Sequence, residues 1–303
     1  MKRKFLACFA ALTLGTMMFA GCSANTGNEN KTNEASTTPA TSAEASPEAS
    51  SADATRKGVK ISIVGSTTIA EPMEKLVEAY KATGSPDNIE VQGNGSSAGI
   101  KAAIDGTADI GMASRELSEE EKGSGLVETV IAYDGIAVVV NPSNGVADLT
   151  KDQVKDIFEG KITNWSEVGG VDKDIIVVTR EAGSGTRGAF EEILKLLDEN
   201  KASTIVETAL VSEGTGAVMA TVATKDAAIG FVSEGYLDDT VKAVAIDGVE
   251  CTVDNVKAGS YTISRPLILV AQPSIKAEAQ EVIDFIVSDE GQKIMSDKYI
   301  SIK

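Results

Sequence analysis

The feature that most restricts what this chain can fold into is a local pattern that occurs three times: an apolar run, a turn of glycine and hydroxyl residues, then a helical repeat. In "VKISIVGSTTIAEPMEKLVEAYKATG", Val59, Ile61 and Ile63 alternate and Gly65-Ser66-Thr67-Thr68 follow. Pro72, with Met73, Leu76, Val77 and Tyr80 at helical spacing, then marks a helix ending at Gly84. In "NIEVQGNGSSAGIKAAIDG", a short strand passes through Gly93, Gly95, Ser96, Ser97 and Gly99 into a helix carrying Ile100, Ala103 and Ile104. In "IIVVTREAGSGTRGAFEEILKLLDE", the helix shows Phe190, Ile193, Leu194 and Leu197 at the same spacing, and Arg180 and Arg187 flank the turn. Repeated strand, turn and helix predict an α/β fold.

The turns also point to chemistry. The first N–H groups of a helix have no partner inside the helix, and the dipole there is positive. Glycine lets backbone approach closely and Ser or Thr adds donors without bulk, so such a turn can hold an anion. The alternative is that Ser and Thr are N-caps that satisfy those N–H groups themselves. In an open α/β sheet the turns lie at the carboxyl ends of strands, where ligands bind, so three helix N-termini can face one point. A nucleotide loop is disfavoured, because no stretch supplies G-x-x-x-x-G-K-[ST] and "GNGSSAG" is only a loose dinucleotide fingerprint.

Composition narrows the options further. The chain carries 28 basic and 45 acidic residues, a formal net charge of −17, which argues against nucleic acid and requires any anion recognition to be local. It has no histidine, which removes the usual general base, the Ser-His and Cys-His dyads and the commonest metal ligand. No catalytic residue, metal site or cofactor is expected. The three cysteines are Cys8, Cys22 and Cys251, and no internal disulfide is expected. No solenoid-type repeat is present.

The N-terminus reads as a leader over residues 1–21. Lys2, Arg3 and Lys4 precede the apolar stretch Phe5 to Ala20, and Phe19-Ala20-Gly21-Cys22 resembles the lipobox of bacterial lipoproteins. That likeness implies cleavage before Cys22, lipidation of its thiol, and anchorage on the extracellular face of the cytoplasmic membrane. Residues 22–57 are poor in groups that can pack and are expected to form a disordered tether. The body, about 58–303, is long enough for one large or two small domains.

Read together, "GSTTIAEP", "GNGSSAGI", "ADIGMASRELSEEE", "DLTKDQVKDIFEGKITNW", "TREAGSGTRGAFEE" and "SEGTGAVMATVATKDAAIGFVS" resemble the phosphate-binding lipoproteins of bacterial phosphate ABC importers, in the form common in Gram-positive organisms. The resemblance spans essentially all of 58–303. It implies a two-lobed periplasmic-binding-protein-like α/β fold with two crossing hinge strands and an oxyanion held between the lobes. "ETVIAYDGIAVVVNPSN" and "YTISRPLILVAQPS" are suitable crossovers. One lobe then combines 58–140 with 264–303, and the other is 141–263. The implied partners are inorganic phosphate and the permease and ATPase subunits of an importer, the protein acting as a monomer.

Carried over by position, the implied phosphate contacts are Thr67, Thr68, Ser96, Arg180, Ser184, Gly185 and Thr186, with Ser66, Ser97, Ser114, Arg115 and Asp134 as further candidates. Arg180 would give a forked, charge-assisted contact; Arg187 is left undecided. Trp165 has no claim on the ligand beyond family likeness, and Thr150 to Gln153 reads as a capping box for a helix burying Val154, Ile157 and Phe158. Many relatives place an aspartate after the serine of "ADIGMAS", where it accepts the proton of hydrogen phosphate and helps reject sulfate. Here that position is Arg115. Asp134 is the first candidate to replace it as acceptor and Glu181 the second. The plainer alternatives are that Asp134 caps a turn with Gly135, and that Arg115 is a surface charge beside Glu116, Glu119 and Glu120. Rival functions are a receptor of the same fold for another oxyanion, a phosphate sensor, or a phosphoesterase using carboxylates and a metal.

Overall fold

A computed structural model of the protein describes residues 56–303. The leader, Cys22 and nearly all of the expected tether lie outside the described residues. In chain order the elements are β1 (Lys60–Gly65), α1 (Thr67–Ala82), β2 (Asn88–Gly93), α2 (Ser96–Ile104), β3 (Ile110–Ala113), α3 (Glu119–Lys122), β4 (Val127–Val140), β5 (Asp148–Leu149), α4 (Lys151–Phe158), β6 (Ile176–Arg180), α5 (Gly185–Ile193), β7 (Leu210–Ser212), α6 (Thr215–Thr224), β8 (Ala228–Ser233), β9 (Lys242–Ala243), β10 (Ala245–Ile246), α7 (Val253–Lys257), β11 (Ser264–Ala271), α8 (Ala277–Val287) and α9 (Asp289–Met295). The main sheet runs β2-β1-β3-β11-β4-β8-β6-β7, with β9 against β4.

Two large hydrophobic cores flank the middle of this sheet, and a smaller cluster gathers Ile100, Ala103, Ala113, Leu117, Ile268 and Val270. One large core gathers Ile61, Ile63, Met73, Leu76 and Ile110 with Ala132, Leu267 and Ile283; the other gathers Ile136 to Val140 with Phe158, Trp165, Phe190, Phe231 and Ile263. The chain passes from one core to the other twice, between Ala132 and Ile136 in β4 and between Ile263 and Leu267 at β11. Those two antiparallel segments pair with each other, placing Arg265 opposite Asp134. The result is the two-lobed α/β fold with crossing strands that the sequence motifs implied.

Parallel pairing brings the turns level. β1 and β2 are parallel with Gly65 opposite Gly93, and β6 and β7 are parallel with Arg180 opposite Ser212. Each strand therefore ends beside its neighbour, and the helices that follow start side by side. Local expectations hold at several points. Thr150 and Gln153 form the capping box of α4, Val154, Ile157 and Phe158 are buried, and Trp165 is a core residue whose Nε1 donates to the Ala227 carbonyl. The α5 helix stops at Ile193, earlier than the apolar spacing suggested, because Lys195 takes a positive φ and Leu196 turns into the core instead of Leu197.

α1 differs in an informative way. It starts at Thr67, so Pro72 lies inside it rather than at its first position. A proline there removes the N–H that would bond the carbonyl four residues earlier, at Thr68. The Tyr299 hydroxyl, at the other end of the chain, donates to that carbonyl at 2.8 Å, and the Tyr236 hydroxyl donates to the Thr67 carbonyl at 3.2 Å. Two tyrosines thus supply donors at the end of α1 nearest the crossing strands.

Tyr299→Phe should lower stability by about 1–3 kcal/mol, since it strands a buried carbonyl. In a Pro72→Ala background the helix regains its own donor, so the same change should cost clearly less. Denaturant unfolding of the four proteins checks this, and an undiminished cost in the alanine background would contradict the assignment.

Candidate oxyanion site

Four helix N-termini meet where the cores face each other, two from each side. α1 is capped by Ser66, whose Oγ accepts from the Thr68 N–H, and α5 by Ser184, whose Oγ accepts from the Arg187 N–H. At these two serines the N-cap alternative describes the geometry. α2 and α6 instead start after Gly95 and Gly214, both at positive φ and without side-chain caps, so Ser96 and Thr215 are not committed as caps.

The hydroxyls then link across the two sides. Thr68 Oγ1 lies 3.2 Å from Thr186 Oγ1, and Thr67 Oγ1 lies 3.4 Å from Thr215 Oγ1. On the first side, Ser66 Oγ donates to Ser114 Oγ at 2.9 Å, and the Ser114 N–H donates to Ser96 Oγ at 3.1 Å. The Ser97 N–H crosses to the Gly183 carbonyl at 3.1 Å. Gly185 makes this closeness possible: a Cβ there would stand 2.2 Å from Ser96 Oγ and 2.6 Å from Ser114 Oγ.

Two buried arginines flank the start of α1. Arg180, 1% exposed, reaches Thr67 Oγ1 at 3.1 Å with Nη2 and Thr215 Oγ1 at 3.4 Å with Nη1. Its Nε and Nη2 donate to both oxygens of Glu181, at 2.8 and 2.7 Å, so that edge of the fork is already engaged. Burial pushes the Glu181 carboxyl up, but the Arg180 guanidinium and the Gly214 N–H outweigh it and hold the group below its ordinary value. Arg187 turns along its own helix, donating to Glu191 at 2.7 Å and to the Arg180 carbonyl at 3.0 Å.

The second arginine, Arg265, was not singled out from the sequence. It is 3% exposed; Nε and Nη2 donate to Asp134 Oδ2 at 3.1 and 2.8 Å, Nη1 to the Ser114 carbonyl at 3.0 Å, and Nη2 to Thr68 Oγ1 at 3.4 Å. A signal was available: "TISRPLILV" and "VIAYDGIAVVV" each carry one charge of opposite sign in an apolar strand, and buried charges pair. Thr215 was missed too, although "EGTGAV" repeats the glycine-hydroxyl turn.

Asp134 sits in mid-strand rather than in a turn. Besides Arg265, it accepts from Ser233 Oγ at 2.9 Å through Oδ1, so both of its oxygens are engaged. Burial pushes its carboxyl above the ordinary value against the pull of Arg265 and Ser233. Nearby, burial first and the charge of Asp134 second push Glu234 up to about 7. Arg115 stands aside from the cluster: it forms a bidentate pair with Glu121 at 2.7 and 2.8 Å and donates to Ser97 Oγ at 3.2 Å. Its partner is thus not one of the three glutamates expected from the sequence, and its side chain is only 14% exposed. The cluster therefore holds two guanidiniums, each neutralised by one carboxylate, around hydroxyls and helix N-termini. Such an arrangement suits a small, dry, highly charged anion. Among the described residues, no group of three or more His, Cys, Asp or Glu is arranged to hold a metal ion, and no helix is long and apolar enough to cross a membrane.

Comparison with known proteins agrees with this geometry. Over residues 32–290 the chain matches the family described as a PBP superfamily domain. It is similar to the phosphate-binding protein PstS of Bacillus subtilis (strain 168), with 34% identity over 248 residues covering 80% of each chain. It is also similar to PstS of Borreliella burgdorferi, with 26% identity over 251 residues, 80% of this chain and 90% of that one. Among solved structures, a Clostridium perfringens protein described as a phosphate ABC transporter substrate-binding protein, crystallised with bound phosphate, matches with a TM-score of 0.77 and 46% identity, covering 80% of this chain and 100% of that one. This chain therefore belongs to the PBP superfamily and, within it, to the family of PstS phosphate-binding proteins.

Proposed function

We propose that the protein is an extracytoplasmic receptor that captures inorganic phosphate between its lobes and delivers it to the permease and ATPase of an ABC-type importer. The observation that carries this reading is the meeting of four helix N-termini and two buried guanidiniums, drawn from both cores, at one point of an acidic protein. A chain with a formal charge of −17 does not attract an anion from afar, so local donors must do the work. The names of the relatives, and the phosphate in the C. perfringens structure, support phosphate over other oxyanions.

In this reading the lobes close by hinge motion about β4 and β11, with the ligand bridging them. The division at 140/141 and 263/264 is proposed in a shifted form, with the changeover within 132–136 and 263–267, where the cores exchange. Thr67, Thr68, Ser96, Ser184, Gly185, Thr186 and Arg180 are proposed to meet the ligand, Ser184 through the hydroxyl proton that its capping bond does not use, while Ser66 shapes a helix start and Ser97 and Arg115 hold the rim. Anchorage through a lipidated Cys22 and a monomeric state are part of the same proposal. Binding without turnover is preferred to a phosphoesterase, since the two carboxylates at the cluster, Asp134 and Glu181, are both held by arginines.

Isothermal titration with phosphate, sulfate and molybdate tests the reading; absence of heat with phosphate would sink it. Arg180→Ala should weaken phosphate binding by several kcal/mol, whereas Arg187→Ala should cost about 1 kcal/mol or less, because Arg187 serves its own helix. Equal losses would mean the two arginines have been assigned wrongly. Gly185→Ala should weaken phosphate binding by about tenfold or more by wedging α5 away from Ser96, with little change in stability before ligand is added. Small-angle scattering with saturating phosphate should then report a more open protein than wild type.

A further inference from the structure

Arg265 differs from the other charged groups of the cluster in its origin. The turns come from strand ends in either lobe, but Arg265 belongs to β11 and lies where the chain passes from one core to the other. Replacing a buried ion pair by apolar residues is often neutral or stabilising, so an ion pair at the centre of a crossing suggests a task beyond holding the strands.

The geometry indicates that task. If Arg265 only paired the strands, its guanidinium could end at Asp134. Instead its far edge leaves the strand pair and meets the Ser114 carbonyl and Thr68 Oγ1. Thr68 Oγ1 is the hydroxyl that touches Thr186 Oγ1 of the opposite side. Arg180 and Arg265 thus reach adjacent residues, Thr67 and Thr68, from two directions. The four hydrogen bonds of Arg265 use at most four of its five N–H groups among the described residues. Because Glu181 engages one edge of the Arg180 fork, a second guanidinium would add charge-assisted donors for a doubly charged tetrahedral anion at α1.

We propose that Arg265 is this second guanidinium of the oxyanion site, supplied by the crossing strand, and that Asp134 is the positioning residue that aims it. The proposal rests on the phosphate-binding reading above. Asp134 takes Nε and Nη2 on one carboxylate oxygen while Ser233 fixes the other, so that Nη1 meets the Ser114 carbonyl and Nη2, shared with Asp134, also reaches Thr68 Oγ1. In this role Asp134 accepts no proton from the ligand.

The test is a double-mutant cycle on the intact chain, with phosphate affinity measured by titration calorimetry and thermal midpoints recorded without phosphate. Arg265→Gln alone leaves a buried carboxylate unpaired, so the Asp134→Asn/Arg265→Gln protein, which keeps hydrogen-bonding groups but no charge, is the main variant. It should fold and bind phosphate about 100-fold more weakly than wild type. Arg265→Lys, which keeps a charge for Asp134 but loses the fork, should bind about tenfold more weakly, and it carries the test if the double variant does not fold. Asp134→Asn alone should cost about tenfold, yet add nothing once Arg265 is glutamine, because it acts through that residue. Wild-type affinity in the folded double variant, or in Arg265→Lys, would overturn the proposal. An equal cost of Asp134→Asn with and without Arg265 would remove its positioning role. Arg180→Ala serves as the control: if it weakens binding and the Arg265 variants do not, only this inference fails. If the wild-type chain does not bind phosphate, the functional reading and the inference fall together.

Discussion

A carboxylate and a guanidinium, both removed from water, face each other where the two long strands of this protein cross. Neither charge could be buried alone, since the loss of hydration would cost several kcal/mol per ion. Their pairing therefore constrains the register of β4 against β11 at the place where the chain leaves one core for the other. Much else is built outward from that point. Arg265 holds the Ser114 carbonyl and Thr68, Asp134 takes Ser233 from the end of β8, and Glu234 follows directly and is pushed up by burial first and by the same charge second.

The start of α1 is the second fixed element. Pro72 withholds an N–H that Thr68 needs, and a tyrosine from the chain terminus supplies it, so the first turn of α1 is tied to the last residues of the protein. Its two threonines each touch an arginine and a threonine of the opposite side. Because both arginines arrive already neutralised, the cluster can pack closely without strong internal repulsion. A dianion then gains from oriented N–H and O–H groups rather than from net positive charge, consistent with the acidity of the whole chain.

Much of this was legible in the residues. The three glycine-hydroxyl turns, the apolar faces of α1, α2 and α4 and the capping box at Thr150 follow from local spacing, because helix and strand periodicities impose themselves within a few residues, whereas the crossing of two strands between lobes was implied by the family resemblance. Local rules were weaker where one residue can serve two ends. Ser66 and Ser184 look the same as Ser96 in sequence, yet the first two cap their helices and the third does not. Arg180 and Arg187 flank one turn symmetrically, but strand geometry sends one to Thr67 and helix geometry sends the other to Glu191. Arg115 found Glu121 instead of its nearer acidic neighbours because Glu121 is drawn back by the Ser118 capping box.

By itself the sequence determined the units: which segments become strands, which turns expose helix N-termini, and that recognition in so acidic a chain must be local. The first two depend on residues near in the chain, the third on the composition of the whole. Only the tertiary structure decided which units meet. Thr67 and Thr215, Thr68 and Thr186, and Asp134 and Arg265 are more than one hundred residues apart, and their contacts arise from parallel strand pairing and the double crossing of the cores. A charge in an apolar strand announces that it needs a partner, but the partner's identity is set by register, which no single segment contains.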